Sequence, residues 1–130
     1  MQNLWDNKVE SVRSAATLTD SYVAGTVLTP AGKYNQLIVY WQFTKGSLTT
    51  GELKIEFSAD GGNTYNQETF AAVSGDTETD TLGEHAVSAT GKYRIPVAIG
   101  PGETHIKISV KGTGTVTSSS ATVDAILARS

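Results

Sequence analysis

The chain has 130 residues, and its 10 Lys and Arg against 13 Asp and Glu leave a net charge of −3; that is the size of one domain, without the general basicity of a nucleic-acid binder. The absence of cysteine excludes disulfide scaffolds, thiolate zinc sites and cysteine nucleophiles. Charged residues make up 18%, below the ~25% of ordinary soluble domains, and 18 Thr and 12 Ser fill the gap, which tilts the composition toward pleated, half-buried β surface.

The first twenty residues, MQNLWDNKVESVRSAATLTD, lack the apolar core of a signal peptide, and no apolar run approaches the ~18 residues of a membrane helix. A soluble chain made in the cytoplasm is therefore expected. Trp5, Val9, Val12 and Ala16 recur at helical spacing, with Asp6 as a candidate cap. The Ser, Ala and Thr residues that follow favour an extended segment instead. Residues 1–18 are read as an N-terminal arm or first strand, and 19–130 as a single β-sandwich domain.

Tyr22 to Leu28 is the next expected strand. Leu37 to Phe43, LIVYWQF, is apolar on both faces. Leu37, Val39, Trp41 and Phe43 suit a core, while Ile38 and Tyr40 need a second cover. That cover is either a loop or the N-terminal segment, or else another subunit. Glu52 to Phe57 alternates cleanly, with Leu53, Ile55 and Phe57 on one face and Glu52, Lys54 and Glu56 on the other.

Tyr93, Ile95, Val97 and Ile99 form another inward set, interrupted by Pro96, which lacks a ladder donor and predicts an edge strand or a bulge. Gly100-Pro101-Gly102 reads as a turn rather than a phosphate loop. His105 to Lys111 places Ile106, Ile108 and Val110 inward and His105, Lys107, Ser109 and Lys111 outward. Val123, Ala125 and Leu127 close the series, alternating with Asp124, Ile126 and Ala128. Seven or eight short strands with turn signals between them predict an all-β, antiparallel β-sandwich. A jelly roll is the expected type, with an immunoglobulin-like sandwich as the alternative, since periodicity does not separate the two.

Three segments are candidates for chemistry. Ser58-Ala59-Asp60-Gly61-Gly62-Asn63-Thr64-Tyr65 follows the clearest strand, and its Gly, Asp and Asn residues suit a tight turn. It resembles the Asp-box hairpin, Ser-x-Asp-x-Gly-x-Thr-Trp, with Tyr65 in the Trp position. This implies a structural turn built on Ser58, Asp60, Gly62 and Thr64; one copy does not make a sialidase propeller. Asp76, Glu78, Asp80 and Glu84 gather oxygen ligands of the kind Ca²⁺ takes. Thr81 and Val87 stand where an EF-hand needs its Gly and its bidentate Glu, so a solvated acidic loop is expected, with no metal and no cofactor. His85 and His105 are the two histidines; they form no metal-ligand pair, and no Gly-x-Ser-x-Gly elbow accompanies them. No catalytic residue is assigned and no enzyme is expected. Lys107 and Lys111 are balanced by Glu52 and Glu56 without an aromatic ladder, so neither nucleic acid nor membrane is an expected partner.

Taken together, YNQLIVYWQFTKGSLTTGELKIEFSADGGNTY, GKYRIPVAI and THIKISVKGTGTVTSSSATVDAIL resemble two families across roughly residues 20 to 128. One is the small jelly-roll structural proteins of tailed-phage virions, which are rich in Thr, Ser and Gly. The other is the galactose-binding-like jelly rolls. The virion resemblance implies a capsid decoration (cement) protein on the capsid surface. Its partners would be the major capsid protein or other virion proteins, and it would be a symmetric homo-oligomer, a trimer above all. The lean 38% hydrophobic content and the two-faced strand suit completion by neighbours. Leu4, Trp5, Val9, Ile38 and Tyr40 are the expected contact residues, because Trp and Tyr are enriched among interface anchors. The lectin-like resemblance implies a carbohydrate-binding module of a phage tail or receptor-binding assembly, with Tyr22, Tyr34 or Tyr65 as exposed stacking platforms.

Overall fold

The period-2 pattern becomes strand throughout, and a computed structural model describes residues 7–74, 77–82 and 85–129, with 70–82 described by the backbone. In chain order the strands are β1 (Lys8–Ala16), β2 (Val23–Ala24), β3 (Gln36–Thr44), β4 (Leu48–Ser58), β5 (Asn66–Gln67), β6 (Thr69–Ser74), β7 (Thr77–Leu82), β8 (His85–Val87), β9 (Gly91–Ala98), β10 (His105–Gly114) and β11 (Ser120–Ala128). The described residues include no helix.

One sheet runs β1-β11-β3-β9; the other runs β2-β10-β4-β5, with β8 on the same edge of β4 as β5. The β6–β7 hairpin pairs with itself alone. Treating β5 and β8 as one edge position gives eight strands in the order first-eighth-third-sixth against second-seventh-fourth-fifth. This is the jelly-roll order. In an immunoglobulin sandwich the first two strands share a sheet and the last two share a sheet; here both pairs are split between sheets.

The core is the inner face of each sheet. Leu37, Val39, Trp41 and Phe43 of β3 face Leu53, Ile55 and Phe57 of β4 and Ile106, Ile108 and Val110 of β10, all buried. Trp41 and Phe43 lie with ring centroids 5.4 Å apart. β9 pairs with β3 alone, the edge position that Pro96 requires. β1 lies on the opposite edge and shifts register between Ser11 and Arg13, a bulge. Val12 is buried there, and the Arg13 guanidinium donates to the carbonyls of Ala121, Ala16 and Thr17 at 3.2, 3.1 and 3.0 Å.

Two sequence expectations need correction. Tyr22 to Leu28 is not one strand: Val23–Ala24 pairs with β10, and Leu28 makes a single bridge to Ile106. Between them the segment joins the two sheets, because the Gly25 N–H donates to Ile108 of β10 and the Thr26 N–H to Val12 of β1. Glycine is required at 25, where a Cβ would strike the Val12 carbonyl. Ser109, expected outward in solvent, is buried. It stands across from Lys54 and beside Lys111 on the outer face, and both ammonium groups lie over the Tyr22 ring at 4.5 and 5.0 Å.

Candidate interaction surface

Antiparallel partners put their side chains on the same face, so the register defines what the four-stranded sheet shows outward. Val9 (β1), Ile126 (β11), Ile38 (β3) and Pro96 (β9) stand in one row across its full width. The adjacent row is Ser11, Asp124, Tyr40 and Arg94. On the other side lie Ala128, Gln36 and Ala98. Val9 is 71% and Tyr40 38% exposed, and Ile38 and Ile126 are half-buried. No described strand covers this face. Beside Tyr40 a depression of about 280 Å³ is bounded by Gln42, Lys92 and Arg94.

Of the five expected contact residues, Val9, Ile38 and Tyr40 therefore share one face, while Leu4 and Trp5 lie outside the described residues. Ile126, Pro96, Asp124 and Arg94 were not among the contact residues expected from the sequence. Ile126 carried a readable signal, since Ala125-Ile126-Leu127 is apolar on both faces like the run in β3. The other three became visible only through register.

The Ser58 hairpin is a self-contained hydrogen-bond knot at the end of β4. The Ser58 hydroxyl donates to Asp60 Oδ1 at 2.7 Å and accepts from the Gly62 N–H at 2.9 Å. Asp60 Oδ1 also accepts from the N–H groups of Asn63 and Thr64, at 3.1 and 2.8 Å. The Ser58 bond above all, then those from Thr64, hold the Asp60 carboxyl down to about 2. Gly61 and Gly62 sit at φ +77° and +91°, the left-handed region that glycine enters without a Cβ clash. The adjoining turn is tied in through Thr104, whose hydroxyl accepts from the Gly61 N–H at 3.1 Å. The knot uses its own polar atoms on itself.

The three tyrosines offered as exposed sugar platforms are each half-buried, a correction to that expectation. Lys54 and Lys111 lie over the Tyr22 ring, and Lys107 lies 4.2 Å from the Tyr65 centroid, contacts that satisfy the π faces with cations. Tyr34 packs against the core and borders a depression of about 270 Å³ with Asn35, Glu103 and Arg129.

His85 packs against Trp41 and Tyr93, with centroids 6.0 and 5.8 Å away, and burial lowers its pKa. His105 Nδ1 meets its neighbour Thr104 Oγ1 at 3.0 Å. Asp76 and Glu84 lie outside the described residues, and Glu78 and Asp80 belong to β7, described by the backbone. Among the described residues no group of three or more His, Asp or Glu gathers as a metal site.

No protein-family model and no curated protein matches the sequence. Among solved structures the chain is similar to one in a structure of infectious bursal disease virus, Gx strain. The TM-score is 0.52 at 10% identity, over 95% of this chain and 32% of that one. The chain thus spans about a third of that neighbour's length. At this identity the likeness is one of fold, a β-sandwich also present in a virus structure.

Proposed function

We propose that this chain is a non-enzymatic structural protein of a virion, placed on the capsid exterior as a decoration protein that binds capsid subunits as a symmetric oligomer. The observation that carries the reading is the open outer face of the four-stranded sheet. A row of Val9, Ile126, Ile38 and Pro96 crosses that face without cover from a described strand, and apolar rows rimmed by polar residues mark contact sites. The jelly-roll strand order and the fold likeness to a chain in a virus structure support it.

The test is co-sedimentation of the purified protein with tailed-phage capsids through a sucrose gradient. Capsid-bound protein, reduced at least tenfold by Ile38→Asp, is the expected result. Protein that stays at the top of the gradient with every capsid tried would sink the reading. The carbohydrate-binding alternative draws less support, because two of its three tyrosines already carry lysines on their rings. It predicts saturable binding on a glycan array that is lost on Tyr34→Ala.

A further inference from the structure

We infer that the outer face of the four-stranded sheet packs on the same face of a second copy of this chain, about a two-fold axis that runs along β3. The inference takes the contact face of the preceding reading as its premise and names its occupant. Asp124 and Arg94 stand in one register row, one strand to either side of Tyr40. Neither takes part in the ion pairs Lys8–Glu10, Lys54–Glu56 and Lys107–Glu56 seen among the described residues. Two opposite charges thus stand on either side of one aromatic residue, and neither has an ion-pair partner among the described residues.

That placement selects among the ways two such faces can stack. An axis along β3 lays β11 over the partner's β9. Asp124 then faces the partner's Arg94, and Arg94 the partner's Asp124, so two ion pairs form at once. An axis across the strands lays β11 on β11 and β9 on β9, and like charges meet. The first arrangement also sets Tyr40 and Ile38 against their own copies on the axis, with Ile126 against the partner's Pro96. Face-packed sheets lie ~10 Å apart, a gap that Arg and Asp side chains bridge together. A large aromatic near the centre, ringed by charge, is the usual anatomy of a contact. Val9, on the far strand, falls at the rim. An isologous face closes as a two-fold, which replaces the trimer implied by the resemblance.

The experiment is the dimer Kd by analytical ultracentrifugation for wild type, Asp124→Arg, Arg94→Asp and the double reversal. Circular dichroism confirms that each variant is folded, and Lys111→Asp on the other sheet serves as a control. Each single reversal is expected to weaken the dimer about ten- to a hundredfold, the double to return within about threefold of wild type, and Lys111→Asp to change nothing. A monomeric or trimeric wild type overturns the inference, as does a dimer whose Kd ignores the single reversals or is not rescued by the double. A monomer that still co-sediments with capsids defeats this inference alone. A dimer obeying the charge swap but ignoring capsids defeats the virion reading alone.

Discussion

Asp60 shows how much of the fold depends on single polar atoms. Its carboxylate accepts from Ser58, Asn63 and Thr64, and these bonds hold its pKa at about 2, below the ~3.9 of an unfolded chain. The sign follows from linkage: a carboxyl depressed in the folded state stabilises fully above the unfolded value, and the contribution disappears as pH falls toward about 2. Urea midpoints of the wild type should therefore fall between pH 4 and 2. Asp60→Asn should start lower at neutral pH and decline less across that window; parallel curves for the two proteins would refute the assignment. Ser119 makes a comparable case in the interior. It is buried, accepts the Leu18 N–H at 3.3 Å and donates to the Val116 carbonyl at 2.6 Å. Ser119→Ala strands the Leu18 amide, and equilibrium unfolding should show a loss of about 1–3 kcal/mol. The Ser58 turn was legible because the bonds that Ser58 and Asp60 make within it are local, spanning two to four residues. Ser119 was not, because its partner Leu18 is 101 residues away.

At the scale of the element, alternation told which residues face inward but not what lies opposite them. The central parts of β4 and β10, Glu52 to Phe57 and His105 to Lys111, could be drawn from the sequence with their inward residues in place, because burying one face of a strand leaves a period-2 trace; the ends at residues 48–51 and 112–114 carry no such trace. The trace fails where cover comes from elsewhere, as at Ser109, or where the chain passes between sheets, as at Gly25. The contact face illustrates both outcomes. Ile38 and Tyr40 stood out because an apolar residue on a solvent face breaks the alternation, whereas Arg94 and Asp124 look like ordinary surface charge until β3 is set between them. The close packing of β3 on β4 yields its own test. A Cβ on Gly51 would enter the Phe43 ring, while one on Gly102 meets no atom within 4 Å. Overpacking of this kind costs ~1–3 kcal/mol, so Gly51→Ala should lower stability by that amount and Gly102→Ala should leave it nearly unchanged. Equal effects in thermal melts would mean that the two sheets do not approach at Gly51. Leu53, fully buried in the same strand, should lose about 2–5 kcal/mol on truncation to Ala.

For the whole molecule, the distinction between jelly roll and immunoglobulin-like sandwich lies in which strands are neighbours, and no local pattern encodes that. Lys8 pairs with Leu127, Gln36 with Ala128 and Ser58 with His105. Although β3 and β4 are joined by the short turn at Lys45–Ser47, they belong to different sheets. Apart from the β6–β7 hairpin and the β4–β5 pair, the strand pairs form only when distant segments meet, and closing such long loops costs entropy that local contacts do not offset. Chains dominated by non-local strand pairing fold in about milliseconds to seconds, against microseconds for helical bundles of similar size. Trp41 reports this closure because it sits at the centre of β3, buried, with β11 on one side and β9 on the other. With Trp5→Phe, Trp41 is the sole indole of the chain. Its stopped-flow refolding signal should relax at about 1 to 1000 s⁻¹ at 25 °C. Truncating Val123 on β11 to Ala should slow refolding less than it speeds unfolding if the terminal strand is added late. Sub-millisecond refolding of the Trp41 signal would mean that the core around β3 assembles before the chain ends join it.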